Sequence, residues 1–224
     1  MGSRRLPGKI LMPIAGAPLL QRLIERVRNS ALSDQVIVAT SSEPDNDRVE
    51  TLCNKLGISV IRGSETDVLS RFVTAADVGG ADIIARLTAD NPFVDGALVD
   101  FVVEGFLKSA GELDYINNVE NSGFPYGLFV EVFSVNALRR VAASPTPEDR
   151  EHVTHSIRTT GKFATDVIHA PEEFVQWRLT IDTQEEYSFA SRLFQTLYDE
   201  SPNFQHTRLL QKYNVDKPVT DGDI

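Results

Sequence analysis

The chain has 224 residues, of which 42% are hydrophobic and 24% charged, a globular composition that excludes a mostly disordered chain. Its 22 basic and 32 acidic residues give a net charge of −10, which argues against a general nucleic-acid binder or a protein of anionic membranes. A single cysteine excludes a disulfide framework and a cysteine zinc cluster. No apolar run approaches the ~20 residues of a membrane span and no signal-peptide core is present, so we expect one large cytoplasmic domain over residues 1–224.

Helical and strand patterns alternate along the chain. In chain order, the patterns predict helix 17–28, strand 35–40, helix 47–56, strand 59–62, helix 67–78, strand 82–88, helix 97–109, strands 113–117 and 127–133, helices 136–143 and 148–159, strands 163–168 and 177–181, and helices 183–198 and 207–213. This alternation predicts an α/β fold with a parallel or mixed sheet covered on both faces. Binding residues are then expected just after the strands, at the carboxyl edge of the sheet.

Positive charge is concentrated at the start of this acidic chain, where Arg4, Arg5 and Lys9 fall within ten residues. The cluster indicates either a local anion site, such as a phosphate pocket, or a solvated basic N-terminus. A P-loop is excluded by the spacing, because five residues rather than four separate Gly2 from Gly8 and because Ile10 follows Lys9.

The same segment resembles the phosphate loop of the cytidylyltransferases that make CMP-activated sugars. Their loop reads Ser-x-Arg-Leu-Pro-x-Lys-x-Leu, and the matching residues are Ser3, Arg5, Leu6, Pro7, Lys9 and Leu11. Further segments match in order over most of the chain: 38–41, 62–65, 67–69, 88–92, 130–132, 150–154 and 178–183. Within this family the loop resembles that of the spore-coat polysaccharide type, with the acylneuraminate and 3-deoxy-manno-octulosonate cytidylyltransferases as relatives.

The resemblance implies one nucleotidyltransferase domain with a Rossmann-like, three-layer α/β/α fold and a mixed, mostly parallel sheet. It implies transfer of CMP from CTP to a sugar or sugar acid, with Mg²⁺ as cofactor and pyrophosphate as second product. The implied partners are these small molecules, with no nucleic acid or membrane, and a homodimer is expected because relatives are commonly dimers.

Within the loop, the resemblance assigns catalytic roles to Arg5 and Lys9, and nucleotide binding to Ser3 and Arg4. Arginine offers bidentate contacts to phosphate oxygens and lysine a point charge. Both types of contact stabilise a departing pyrophosphate.

Two aspartates, Asp90 and Asp182, follow predicted strands and are the magnesium ligands that the resemblance implies. Mg²⁺ takes oxygen ligands and usually keeps waters and substrate phosphates. Each residue also has a structural alternative. Asp90 precedes Asn91-Pro92 and suits a turn, whereas Asp182 precedes Thr183 and suits a helix N-cap.

The remaining contacts rest on the resemblance. It places Arg62, Asp67 and Arg71 near the base or ribose, although Asp67 and Arg71 also have the spacing of a helical i,i+4 ion pair. It also places Thr88 among the nucleotide-binding residues. The candidates for sugar contacts are Glu131, Arg150 and His152.

Two features depart from the family pattern. The usual Pro-Asp-Gly-Leu-Asp segment here carries aromatics at Tyr126 and Phe129 in place of both aspartates. This departure leaves the identity of the sugar open and favours one alternative, a catalytically impaired nucleotide-sugar-binding protein. A glycosyltransferase of similar architecture is a further alternative.

The other departure concerns a strand. The family's loop is preceded by a strand ending in Gln-Ala-Arg, whereas Met1 already lies in the loop. We therefore expect a domain truncated at its N-terminus relative to the family, with a gap or a non-standard neighbour in the sheet and a flexible segment over residues 1–5.

Overall fold

The computed structural model describes residues 3, 5–119, 121–171, 174 and 177–213. The strands are β1 (Pro13–Ile14), β2 (Ala17–Pro18), β3 (Ile37–Ser41), β4 (Ser59–Gly63), β5 (Ile83–Arg86), β6 (Tyr115–Asn117), β7 (Glu131–Ser134) and β8 (Thr165–Val167). The helices are α1 (Leu19–Val27), α2 (Asp47–Leu56), α3 (Val68–Gly79), α4 (Gly96–Lys108), α5 (Val135–Ala142), α6 (Pro147–His152), α7 (His155–Thr159), α8 (Gln184–Glu200) and α9 (His206–Tyr213).

Local signals set the ends of several helices. Helix α2 has the predicted bounds, and Gly57 ends it in the left-handed conformation that glycine adopts without a Cβ penalty. The carboxylate of Asp67 accepts from the amide of Ser70 at the start of α3. Helix α8 begins with a capping box between Thr183 and Glu186. Asp182 is therefore not the N-cap of α8.

The strands form a hairpin and two larger sheets. The hairpin pairs β1 with β2, one sheet pairs β3 with β4 in parallel, and the other has the order β5-β7-β6-β8. In the larger sheet, β7 is antiparallel to β5 and β6, whereas β6 and β8 are parallel. The sheet arrangement is therefore mixed, as expected.

The expected gap is present, since among the described residues β3 pairs only with β4 and β5 only with β7. Side chains of β3 and β5, such as Val38 and Ile84, are only half-buried, whereas Tyr115 and Ile116 of β6 are buried. The expected flexible segment 1–5 falls largely on Met1, Gly2 and Arg4, which lie outside the described residues.

The largest apolar core joins α1, α4 and α8, through residues such as Leu23, Leu98 and Phe194. A second cluster packs α5 and α7 against β6 and β7, and a third joins α1 to α2. Within the part of the chain that the structure describes, no helix is both long and apolar enough to cross a bilayer.

Two predicted elements are wrong. The predicted helix 148–159 is two short helices, because the chain turns at Val153, where φ is 53°. The buried carboxylate of Asp149 holds this turn by accepting from the amide and hydroxyl of Ser156 at 2.7 Å each.

Among the described residues, the predicted strand 177–181 makes only one isolated bridge, between Tyr126 and Arg178. Gly127 approaches this segment so closely that a Cβ there would lie 2.5 Å from the amide nitrogen of Thr180. The hairpin β1–β2 was not predicted, and its Ala17 and Pro18 fall at the start of the predicted first helix.

Candidate active site

The N-terminal loop folds back on itself before it reaches the sheet. The Leu6 amide donates to the Ser3 hydroxyl at 3.2 Å. Gly8 then adopts a left-handed conformation with φ 72° and precedes a short 3-10 helix, Lys9–Leu11. This turn carries the Lys9 side chain inward, where only 9% of it is exposed.

The Lys9 ammonium lies between the two predicted metal-binding carboxylates. Its Nζ donates to Asp90 Oδ2 at 2.8 Å, to Asp182 Oδ1 at 2.9 Å and to the carbonyl of Ile181 at 2.6 Å. Asp90 follows β5, and its carbonyl accepts from the Ile181 amide at 2.9 Å. The structure therefore brings three predicted site residues from distant parts of the chain into direct contact.

Three cations surround Asp182. Its Oδ2 lies 2.9 Å from Arg5 Nη2 and 3.0 Å from Arg178 Nη2, in addition to the Lys9 contact at Oδ1. Burial alone would raise the pKa of Asp182, but the hydrogen bond and charge of Lys9, with the charges of Arg5 and Arg178, hold that pKa below its ordinary value. Asp182 is therefore ionised throughout the neutral range.

Glu186 fixes the position of Asp182 on the protein side. Its carboxylate accepts from the amides of Asp182 and Thr183 at 2.7 and 2.9 Å, and it forms an ion pair with Arg178. Burial would raise the pKa of Glu186, but the Arg178 hydrogen bond and the two backbone amides lower it overall.

The donor set of this site fits a hydrated magnesium ion. Two carboxylates and one backbone carbonyl already bind the same cation, the Lys9 ammonium. Mg²⁺ is commonly held by one or two carboxylates, with waters and substrate phosphates completing its shell. In the described part of the chain, no group of three or more His, Cys, Asp or Glu side chains could hold a metal by itself.

A second set of predicted residues meets at the start of α3. Asp67 forms an ion pair with Arg150 of α6, so its main charged partner is not the i,i+4 residue Arg71. The Nε of Arg71 is buried and has no hydrogen-bond partner among the described residues, and burial lowers the pKa of Arg71. Arg62 lies apart from this pair and contacts Asp47 and Glu50 of α2.

Glu131, predicted as a sugar contact, points into the protein interior. Its carboxylate accepts from the Tyr115 hydroxyl at 2.8 Å and the Thr154 hydroxyl at 2.7 Å, and it forms an ion pair with Arg86. Burial and the Glu131 charge raise the pKa of Tyr115 well above its ordinary value, so its phenol stays protonated and donates. His152, another predicted sugar contact, is exposed at the end of α6.

The other predicted residues have separate positions. Thr88 is exposed after β5, and its hydroxyl accepts from the Asn91 side chain at 2.9 Å. Arg4 lies outside the described residues.

Sequence reasoning missed Arg178 and Glu186, which contact Asp182 beside the predicted phosphate loop. Arg178 links Asp182 to Glu186, and its guanidinium carbon lies 4.6 Å from the ring centre of Tyr126. Tyr126 is 47% exposed and packs edge-on against Phe129. Arg178 stands in the matched segment 178–183, which was the available signal, but spacing alone does not show which side chains of that segment face the loop.

Comparison with known proteins identifies the family of the chain. A sequence profile of cytidylyltransferases matches residues 1–215. The chain is 38% identical over 223 residues to the spore coat polysaccharide biosynthesis protein SpsF of Bacillus subtilis, and the match covers 96% of this chain and 90% of that protein.

Solved structures show the same fold. A cytidylyltransferase from Leptospira borgpetersenii superposes with a TM-score of 0.86 at 30% identity, covering 98% of this chain and 95% of its own. A CMP:2-keto-3-deoxy-manno-octonic acid synthetase solved with CTP superposes with a TM-score of 0.66 at 21% identity, covering 87% and 95%. The second likeness shows the fold alone. The predicted Rossmann-like nucleotidyltransferase fold is confirmed, and this chain belongs to the cytidylyltransferase family.

Proposed function

We propose that this enzyme binds CTP with Mg²⁺ and transfers CMP to a hydroxyl of a sugar acid, releasing pyrophosphate, in the cytoplasm and as a homodimer. The contact of Lys9 with both Asp90 and Asp182 carries this proposal. It puts the cationic loop and the two carboxylates in one place, and a metal-bound triphosphate needs both.

The charges of the site suit a polyanionic nucleotide. Lys9 and Arg5 supply a point charge and a planar fork of donors, the two kinds of contact that phosphate oxygens accept. The left-handed turn at Gly8 directs the Lys9 side chain into the site. In our proposal, Lys9 and Arg5 hold the β- and γ-phosphates and stabilise the charge that develops on the leaving pyrophosphate.

Asp90 and Asp182 are the residues that would hold Mg²⁺. When bound, the ion supplies electrostatic stabilisation of the phosphate charge. The sugar hydroxyl forms a new bond to the α-phosphorus and loses its proton to solvent, while the bond from that phosphorus to the bridging oxygen breaks. Glu186 and Arg178 keep Asp182 oriented during this step through the contacts described above.

The acceptor side is proposed from the neighbours of the loop. The exposed Tyr126 and the half-buried Phe129 form an aromatic surface beside Arg178, and aromatic faces pack against the apolar faces of sugar rings. Arg178 adds a donor for an anionic group on the acceptor. An acidic acceptor would match the sugar acid in the name of the solved relative, 2-keto-3-deoxy-manno-octonic acid.

Pyrophosphate release tests the proposal. Purified enzyme is incubated with Mg²⁺, a panel of sugar acids and neutral sugars, and each of CTP, UTP, ATP or GTP. We expect release with CTP and a sugar acid. Thermal shifts with each nucleotide and Mg²⁺ provide a second readout, because a ligand that binds the folded state raises its stability. Greater stabilisation by UTP or ATP than by CTP at equal concentration would contradict the assignment of the base.

The Tyr126–Phe129 surface also supports a second candidate, a nucleotide-sugar-binding protein with little turnover, because aromatics stand where the family has aspartates. The same experiments separate the two. A thermal shift with CTP or a CMP-sugar, combined with no pyrophosphate release across the sugar panel, would favour the binding protein.

A further inference from the structure

Lys9 has no hydrogen left to donate to a phosphate in the arrangement found here. An ammonium carries three donors, and the three acceptors of Lys9 Nζ are Asp90 Oδ2, Asp182 Oδ1 and the Ile181 carbonyl, all within 2.9 Å. The same contacts occupy one oxygen on each carboxylate. Lys9 can donate to a triphosphate only if it gives up some of these acceptors, and a metal ion can bridge the same two carboxylate oxygens only if the ammonium leaves its position between them.

The local charges oppose entry of a metal ion alone. Among the described residues, three cationic and three anionic side chains are in contact around Asp182: Lys9, Arg5 and Arg178 with Asp90, Asp182 and Glu186. A divalent cation would add two positive charges to this balanced set and would leave a largely buried ammonium without its acceptors. Unpaired buried charge is strongly unfavourable.

A triphosphate removes both obstacles at once. Its negative charge offsets the added cation, and its oxygens replace the three acceptors that Lys9 gives up. Resting on the proposed function, we infer that Lys9 holds the metal position between Asp90 and Asp182, so that a divalent cation binds this pair together with a nucleoside triphosphate rather than alone. Metal and nucleotide then raise each other's affinity, as linkage requires, and the Lys9 side chain carries that coupling.

Binding of Mn²⁺ without nucleotide tests this inference. The concentration of free Mn²⁺ is measured by electron paramagnetic resonance in titrations of wild type, K9M, K9R and K108M. We expect K9M to bind Mn²⁺ about tenfold or more tightly than wild type, a coupling within the usual range. K9R keeps a cation between the carboxylates and should bind as weakly as wild type. K108M removes the charge of a lysine that is 77% exposed on α4 and should also match wild type.

The double variant K9M/D90N tests whether the tighter Mn²⁺ binding of K9M occurs at this site. It should lose the increase in Mn²⁺ affinity that K9M shows over wild type. Equal Mn²⁺ affinity of K9M and wild type would overturn the inference. The proposed function would still stand in that case, provided wild type releases pyrophosphate from CTP. Absence of Mn²⁺ binding in every protein, with or without CTP, together with no pyrophosphate release, would overturn both.

A measurement on wild type keeps the inference testable if K9M does not fold. Lys9 is almost covered and fully paired, so an amine-acylating reagent should modify it slowly. Saturating Mn²⁺ without nucleotide should displace Lys9 and increase its labelling severalfold by mass spectrometry, while labelling of the exposed Lys108 stays constant. If Mn²⁺ saturates the site and the labelling of Lys9 does not change, the displacement of Lys9 by the metal ion is contradicted.

Discussion

Replacing Glu131 with glutamine should strongly destabilise this protein. The Glu131 carboxylate accepts from the hydroxyls of Tyr115 and Thr154 and pairs with Arg86. Glutamine has almost the same shape but only one acceptor oxygen and no charge. The E131Q protein would therefore leave the Arg86 guanidinium without its counter-charge and at least one hydroxyl without its acceptor.

The magnitude follows from burial. Breaking a buried ion pair by removing one partner costs about 3–5 kcal/mol. The side chains of Arg86 and Glu131 are 17% and 10% exposed, so partial solvent screening reduces the expected loss to about 2–4 kcal/mol. For a chain of this length, each kcal/mol shifts Tm by about 2–4 °C, which gives a decrease of about 5–15 °C.

Urea denaturation monitored by circular dichroism measures the free energy of unfolding. The matched control is T154V, which removes one hydroxyl donor, keeps the charge pair and should lose about 1–2 kcal/mol. The structural role of Glu131 is refuted if E131Q unfolds within about 1 kcal/mol of wild type, the size of an ordinary substitution. Normal stability with a large loss of turnover would instead support the sugar contact that the family resemblance implies.

Three further predictions concern the metal ligands, acid stability and the open strand edges. D90N and D182N should keep the wild-type circular dichroism spectrum and lower pyrophosphate release about a hundredfold or more, since even outer partners of metal sites are worth 10–100-fold; near-normal release would remove that residue from the site. Burial would raise the pKa of Asp149, but its hydrogen bonds from Thr146 and Ser156 hold the pKa below its ordinary value. Because the folded pKa is depressed, this stabilisation is present above the unfolded value of about 3.9 and is lost as pH falls through the folded value. In urea titrations, the free energy of unfolding of D149N should therefore be about 2 kcal/mol below that of wild type at pH 7. Between pH 5 and pH 3 this free energy should fall less for D149N than for wild type, and an equal fall in both proteins would contradict the prediction. An apolar strand of about six residues ending in Gln-Ala-Arg, fused before Met1, should raise Tm by pairing with the edges of β3 and β5 that have no partner among the described residues. A proline-containing version of the same length should not, and equal Tm values for both would contradict the open-edge interpretation.

Much of the architecture could be predicted because its signals are local. The bounds of α2 are set by acidic residues in its first turn and by Gly57, all within the helix or next to it. The capping box of α8 lies within four residues. The phosphate loop was also visible as a short pattern, because its fold depends on a left-handed glycine close to the lysine that it positions. Such signals depend on residues that are close in sequence, so they can be recognised without knowing how the rest of the chain folds.

Long-range packing decided the remaining features. The helix predicted at 148–159 breaks because Asp149 finds partners on both sides of Val153, and the helical pattern contains no sign of that turn. The alternation of apolar and polar residues in β7 does not show that Glu131 accepts hydrogen bonds from Tyr115 of β6 and from Thr154 between α6 and α7.

The Lys9 contacts show most clearly what could not be predicted from the sequence. Sequence predicted Lys9 as a phosphate ligand and the two aspartates as metal ligands, but not that they bind one another across 81 and 173 residues of chain. Residue types and spacing determine what each group can bind. Which of these groups meet is decided by how the tertiary fold brings the carboxyl end of β5 and the segment before α8 to the same loop, since charges attract strongly only after folding has placed them together in a site of reduced solvent access.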